Sequence, residues 1–199
     1  MLRKIRESYR FFVIVTYFCF QSFNMSKRDL KKYIVSLDKE QLEKQVLELY
    51  DKFGNVKIYY DFVFNPKEEK LVNEAKIKIT NEYFPIKGKR PKLRRSTAQK
   101  YIKHFLIMGV DPVAIADVML HTIEVAQRYS VRREIRYASF YKSMLNSFEQ
   151  AVGHVLSNRL SGEFQNRIIT IYDEVTTQKW ENRQDFEKVY DNLIWDREL

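Results

Sequence analysis

The segment from about Pro112 to Arg128 most strongly constrains how this chain can fold, because it is apolar on nearly every face of a helix. Its apolar residues are Val113, Ile115, Ala116, Val118, Met119, Leu120, Ile123, Val125 and Ala126. At a 3.6-residue period this pattern leaves no broad polar side for water. Such a helix must be covered on several sides. We therefore predict that it lies at the centre of a helical domain.

The residues just before this helix predict that a tight turn connects it to a preceding helix. Segment 96–108 has apolar residues at helical spacing, and Gly109 follows it. Glycine lacks a Cβ and is the usual left-handed stop of a helix. Asp111 then supplies an N-cap, and Pro112 supplies a first helical residue whose φ is already set. Two antiparallel helices are expected to meet here.

Helical periodicity continues through the rest of the chain. We predict an all-α protein of about eight helices in antiparallel hairpins, arranged as a bundle or a short solenoid-like array. The aromatic run Tyr59–Phe64 has no hairpin partner that would make it a strand. A helix ending near Phe53 is open to continuation through Gly54, with a kink at the glycine.

Two further helix starts are indicated by capping boxes near the beginning of the predicted domain. Ser26 is followed three residues later by Asp29, and Asp38 is followed three residues later by Gln41. In each box the first side chain accepts a hydrogen bond from a free N–H of the first turn. We expect a short helix to begin after Ser26 and a second helix to begin after Asp38.

Residues 1–24 differ from everything after them. Basic residues precede a short apolar run, Phe11–Phe20, as in a secretory signal. The run is shorter than the ~20 residues of a membrane-spanning helix, and no small-residue cleavage site follows it. We interpret Met25 as the initiator and the first 24 residues as upstream DNA translated by mistake, with a signal or anchor-like segment as the alternative. Residues 25–199 would then form a single all-helical domain without stable membrane insertion.

The composition excludes several classes of chemistry. The only cysteine, Cys19, lies in the first 24 residues, so disulfides, cysteine catalysis and cysteine metal sites are excluded from Met25 onward. The sequence has no GxSxG, P-loop or GxGxxG motif. We therefore predict no cofactor, find no positive support for catalysis, and expect a cytoplasmic protein.

Four segments carry a resemblance to a known family. They are MSKRDLKKYIVSLDKEQLEKQVLELYDKF, YYDFVFNPKEEKL, KYIKHF with GVDP, and FYKSMLNSFEQAV. They resemble an uncharacterised family of small bacterial proteins, described only as a domain of unknown function. The resemblance covers the chain from about Met25 to the C-terminus, which supports the shorter chain. It implies no activity, cofactor or site residue.

The basic loop 85–103 is the most distinctive stretch of a chain with a formal net charge of +9. Between Glu82 and Asp111 the sequence has no acidic residue and eight basic ones. These are Lys87, Lys89, Arg90, Lys92, Arg94, Arg95, Lys100 and Lys103. Such a run can neutralise phosphates and release their counterions. We predict that it binds nucleic acid or another polyanion, and the alternative is a solvated connection that pairs with acidic residues of its own chain.

Four arginines after the central helix would enlarge this basic surface if the fold brings them alongside. They are Arg128, Arg132, Arg133 and Arg136. Basic clusters attract polyanions without reading their sequence. The predicted binding surface is therefore the loop, and the four arginines extend it only if the fold places them beside the loop.

Asp117, His121 and Glu124 share one face of the central helix at i, i+4 and i+7. Carboxylate and imidazole groups at this spacing can bind a metal ion. A di-iron bundle site, however, needs a Glu-x-x-His pattern repeated on a second helix, and the sequence has no such copy. The alternative is that these side chains form a hydrated edge or a buried hydrogen-bonded set.

Three functions therefore remain open from the sequence. The first is a nucleic-acid or polyanion binder that uses the basic loop. The second is a protein-interaction module or small homo-oligomer, with an acidic protein among its possible partners, because aromatic residues make up 15% of the chain. The third is a metal-dependent enzyme at Asp117, His121 and Glu124.

Overall fold

A computed structural model describes residues 26–86 and 90–195, with side chains up to residue 191. The described residues form nine α-helices and no strand, which confirms the all-α prediction. The helices are α1 (Lys27–Val35), α2 (Lys39–Lys52), α3 (Gly54–Phe64), α4 (Glu68–Tyr83), α5 (Arg95–Met108), α6 (Pro112–Arg132), α7 (Ala138–Ser157), α8 (Ser161–Thr177) and α9 (Arg183–Trp195). None of these helices is long and apolar enough to cross a membrane. The interpretation of residues 1–24 concerns a segment outside the described residues.

The described part of the chain divides into two compact units, of which the first ends at Lys52 and the second begins at Phe53. Helices α1 and α2 belong to the first unit, and the other seven described helices belong to the second. Every buried residue of the described chain lies in the second unit. The expectation of one domain over residues 25–199 stays a prediction.

Both helices of the first unit begin at the capping boxes that the sequence indicates. Ser26 Oγ accepts a hydrogen bond from the Asp29 N–H at 3.2 Å. Asp38 Oδ1 accepts one from the Gln41 N–H at 2.8 Å, and Gln41 Oε1 accepts the Asp38 N–H in return at 3.2 Å. Local hydrogen bonding therefore determines where α1 and α2 start.

Helix α6 is the centre of the second unit, as predicted. It packs against α4, α5, α7 and α8, and eleven of its residues are buried. Phe105 of α5, Leu120 of α6 and Phe148 of α7 are at most 1% exposed. The buried amide of Gln127 donates a hydrogen bond to the Ile171 carbonyl of α8 at 2.7 Å, so this polar group keeps a partner.

The turn between α5 and α6 follows the sequence prediction residue by residue. Gly109 has a left-handed φ of 72°. The Val110 N–H donates to the Phe105 carbonyl at 3.1 Å, which closes the end of α5. Asp111 Oδ1 accepts the Val113 N–H at 2.7 Å and so caps α6.

Helices α2 and α3 are separate, whereas the sequence left open one helix with a kink at Gly54. Phe53 is extended, with φ −120° and ψ 109°, and α3 begins immediately after it. Helix α3 packs against α5, and a Cβ on Gly109 would lie 3.3 Å from the ring of Tyr59. The aromatic run of α3 is therefore placed by a helix contact within the second unit.

Candidate functional site

The basic residues between α4 and α6 do not form one uniform exposed cluster. Arg94 donates from Nε and Nη2 to the two carboxylate oxygens of Glu82, both at 3.0 Å. Arg95 donates from Nε to Ser147 Oγ and from Nη2 to Gln150 Oε1, both at 2.8 Å. These two arginines therefore attach the connection to α4 and α7.

Four other basic residues of the run are exposed. They are Arg90, Lys92, Lys100 and Lys103. None of their side chains has a hydrogen bond or ion pair with another described residue, although the charge of Lys92 helps to lower the pKa of Glu82. Lys87 and Lys89 lie outside the described residues. The predicted surface is thus divided into anchoring arginines and exposed cations.

Glu82 organises the end of the basic connection. Its backbone carbonyl accepts hydrogen bonds from the N–H groups of Lys92 at 2.9 Å and Leu93 at 3.2 Å. Its carboxylate accepts hydrogen bonds from Arg94 and from Thr97 Oγ1, the latter at 2.9 Å. The hydrogen bond from Arg94 lowers the pKa of Glu82, assisted by Thr97 and opposed by burial. Leu93 has a φ of 52°, which is costly for a residue with a side chain. The hydrogen bonds to Glu82 hold the backbone in this conformation.

The turn after α4 and the end of α6 meet at an open cavity of about 330 Å³, here called the α6-end cavity. It is lined by Tyr83, Phe84, Pro85, Pro91, Tyr129, Arg132 and Arg133. The fold therefore brings two of the four distal arginines beside the basic connection. Arg128 is exposed but does not line the cavity, and Arg136 pairs with Glu134 at 2.9 Å.

Aromatic rings and guanidinium groups lie together in this cavity. The guanidinium carbon of Arg132 is 5.5 Å from the ring centre of Phe84, and that of Arg133 is 6.0 Å from the ring centre of Tyr129. The rings of Phe84 and Tyr129 meet edge to face at 5.8 Å. Both arginines lie at the end of α6, where the helix dipole favours positive charge. The cavity thus combines apolar flat surfaces with fixed cations.

A cavity of about 750 Å³ at the start of α6 has the opposite electrostatic character. Its acidic residues are Glu68, Glu69, Asp111, Asp117 and Glu163. Most of them belong to the first turns of α4 and α8 or to the N-cap of α6, where negative charge complements the helix dipoles. Glu68 also accepts the Asp111 N–H at 3.0 Å. The two ends of α6 therefore present opposite charge.

The metal candidates on α6 are engaged by neighbouring helices. Asp117 pairs with Lys76 of α4 and with Arg167 of α8, and Arg167 also donates to both carboxylate oxygens of Glu124. His121 Nε2 lies 3.1 Å from Thr80 Oγ1, and burial lowers the pKa of this histidine. Within the described residues, no group of three His, Cys, Asp or Glu side chains could hold a metal ion.

Burial raises the pKa of Asp117, but the hydrogen bonds from Lys76 and Arg167 outweigh burial and keep that pKa below its usual range. A carboxylate held ionised by two cations is stabilised as part of a salt-bridge network. The arrangement joins α4, α6 and α8 along the polar edge of the central helix.

Two parts of the cavity region lie outside the binding surface that the sequence predicts. Glu82 is only the boundary of the basic run in that prediction, and the rings of Phe84 and Tyr129 do not belong to the predicted surface. An acidic residue directly before a basic run was the available signal for the first. No signal in the sequence pairs Phe84 with Tyr129, because Phe84 lies in the turn after α4 and Tyr129 lies on α6.

The comparisons with known proteins match this chain to a family of unknown function. A family model described as a family of unknown function (DUF6155) matches residues 25–194. Neither the curated proteins nor the solved structures include a match to this chain.

Proposed function

Because the chain belongs to this family of unknown function, DUF6155, we propose a function from its own surface: it binds nucleic acid or another polyanion beside the end of α6. The observation that carries the proposal is the meeting of Arg132 and Arg133 with the basic connection around one cavity. Arg90 and Lys92 flank Pro91, which lines that cavity. We also propose a cytoplasmic location, where such a ligand is accessible.

The physical basis is the release of counterions from a phosphate backbone. Each phosphate that a cation neutralises makes the slope of log affinity against log salt more negative by about 0.9 for duplex DNA, and by about 0.7 for a single strand. The four exposed cations at the cavity, Arg90, Lys92, Arg132 and Arg133, therefore predict a slope of roughly −3 to −4 for a duplex. Arg94 and Arg95 contribute by holding the connection in place, because Nε and Nη2 of each guanidinium group are hydrogen-bonded within the protein.

The test uses paired charge removal at the two ends of α6. The variant Arg132→Gln/Arg133→Gln removes two cations from the cavity. The control Lys70→Gln/Arg159→Gln also removes two exposed cations, one from α4 and one from the turn before α8. The control residues lie toward the start of α6. Lys70 is in the same helical turn as Glu68, which accepts the Asp111 N–H, and Arg159 follows the end of α7, where His154 contacts the Pro112 carbonyl. A helix of 21 residues separates the two ends by about 30 Å.

Anisotropy titrations of labelled RNA and DNA at 50 and 200 mM salt measure both affinity and slope. We expect the cavity variant to lose about tenfold or more in affinity and to have a shallower salt slope. The control variant should keep most of its affinity and the same slope. Equal losses in the two variants, or weak binding without salt dependence in the native protein, would contradict the proposal.

A second candidate function rests on the first unit. The helices α1 and α2 carry large apolar side chains that are exposed. These are Leu30, Tyr33, Ile34, Val35, Leu42, Leu47 and Leu49. Apolar helix faces of this kind are typical of surfaces that associate with another protein. Light scattering over a concentration series tests self-association, and a strictly monomeric protein that retains no partner in pull-downs would count against this function.

A further inference from the structure

The α6-end cavity has the size and lining for a single flat group. Its volume of about 330 Å³ lies at the lower end of the roughly 300–1,000 Å³ found for small-molecule sites. Two proline rings and the rings of Phe84 and Tyr129 supply flat apolar surface. Inorganic or sulfated polyanions have no planar apolar group that would use this surface.

The two arginines of the cavity have their guanidinium groups placed over aromatic rings. Arg132 and Arg133 each lie within 6.0 Å of an aromatic ring centre, so their guanidinium groups are held against rings. Unpaired nucleobases stack on aromatic side chains and on guanidinium planes. A base entering the cavity would therefore meet stacking surfaces, while donors at the guanidinium edges remain available to its phosphates.

The surroundings of the cavity also suit an anionic chain. No residue lining it is acidic among the described part of the chain. The nearest acid of the connection, Glu82, already accepts hydrogen bonds from Arg94 and Thr97. Arg90 and Lys92 lie on either side of Pro91, where they can contact neighbouring phosphates. Phosphates beside the bound base thus meet cations without a free carboxylate.

From these contacts we propose that the ligand is a single-stranded nucleic acid, with one unpaired base in the α6-end cavity and its adjacent phosphates on the surrounding arginines and Lys92. This inference rests on the proposed function and narrows it. A duplex keeps its bases stacked and paired, so it can use the cations but not the cavity. The preference for single strands separates this inference from polyanion binding in general.

The experiment compares five probes on the full chain: single-stranded RNA, single-stranded DNA, the corresponding duplex, an abasic single strand and heparin. The charge-conserving variant Arg132→Lys/Arg133→Lys keeps both positive charges but removes both guanidinium planes. Because stacking of one base contributes about 1–3 kcal/mol, we expect single strands to bind roughly tenfold more tightly than the abasic strand. The lysine variant should reduce that ratio to near one and leave heparin binding within about twofold.

The possible outcomes distinguish base binding in the cavity from polyanion binding in general. If heparin, duplex and single strands bind equally, and the lysine variant changes none of them, the base-binding inference is overturned while polyanion binding stands. If none of the five probes binds, both proposals fail. A variant Phe84→Leu, which keeps apolar volume without a ring, provides an independent check, and thermal melting confirms that each variant is folded. Unchanged single-strand preference in both variants also overturns the inference.

Discussion

Replacing Arg167 by glutamine tests whether the network on the edge of α6 stabilises the fold. Arg167 of α8 makes four hydrogen bonds to two residues of α6. Nη1 donates to the Asp117 carboxylate at 2.7 Å, and Nη2 donates to the Asp117 carbonyl at 3.3 Å. Nε and Nη2 donate to the two carboxylate oxygens of Glu124. The three side chains are 28–31% exposed, so the network is neither fully buried nor a surface pair.

The size of the effect follows from that intermediate burial. Breaking a buried ion pair costs about 3–5 kcal/mol, whereas an exposed pair contributes about 0–1 kcal/mol. In Arg167→Gln the Asp117 carboxylate still pairs with Lys76, and water reaches the released Glu124 carboxylate. We therefore expect the free energy of unfolding to fall by about 2 kcal/mol, which corresponds to a Tm lower by roughly 4–8 °C for a domain of this size.

The loss should also depend on pH in a defined direction. The folded-state pKa of Asp117 is depressed below its ordinary value of 3.8. The stability from its cation pairs is therefore present above the ordinary pKa and lost as pH falls through the lower, folded-state pKa. The difference in unfolding free energy between native protein and Arg167→Gln should be largest near neutral pH and smaller in acid.

Urea denaturation at pH 7 and at acidic pH measures this difference, with Lys142→Gln as a control because Lys142 is exposed on α7. The control should change the unfolding free energy by less than about 0.5 kcal/mol. An Arg167→Gln variant as stable as the native protein at pH 7 would refute the reasoning. Stoichiometric metal in untagged protein would support the alternative, in which Asp117 and Glu124 leave their cation partners and His121 leaves Thr80 to bind a metal ion.

Three further predictions concern the turns and the core. The variant Glu82→Gln should make trypsin cleavage of the basic connection several-fold faster, because it weakens the hydrogen bonds from Arg94 and Thr97 to residue 82. An unchanged cleavage rate would show that the connection does not depend on these bonds. The variant Gly109→Ala should cost about 1–2 kcal/mol in urea denaturation, because φ is 72° there and the new Cβ would lie 3.3 Å from the ring of Tyr59. Leu120→Ala should cost about 2–5 kcal/mol, because Leu120 is fully buried. Leu106→Ala, at a leucine 55% exposed, should cost less than about 1 kcal/mol, and equal losses for the two leucines would contradict the assigned core.

Features governed by neighbours in the chain could be predicted well. The left-handed Gly109, the cap at Asp111 and the capping box at Asp38 each depend on a few consecutive residues. The central position of α6 was also predictable, because a helix that is apolar all round has no stable place at a surface. In each case the controlling interaction is local or follows from the hydrophobic pattern alone.

The break at Phe53 was not predictable in the same way. Gly54 and Asn55 weaken the helical pattern directly after Phe53, but the sequence does not decide between two helices and one helix with a kink. The packing of α3 against α5, with Tyr59 close to Gly109, accompanies the extended conformation at Phe53. Contacts between helices are non-local, and they override weak local preferences.

The sequence by itself determined the helical class, the central helix and the presence of eight basic residues without an acid between Glu82 and Asp111. Only the tertiary structure decided how those charges are used. Arg94 and Arg95 anchor the connection, and Arg132 lies beside it at a cavity lined by aromatic rings from α4, the turn after α4, and α6. The reason is that charge is a property of each residue and can be read in order along the chain. Which charges remain exposed depends on partners brought together from distant positions when the apolar core forms.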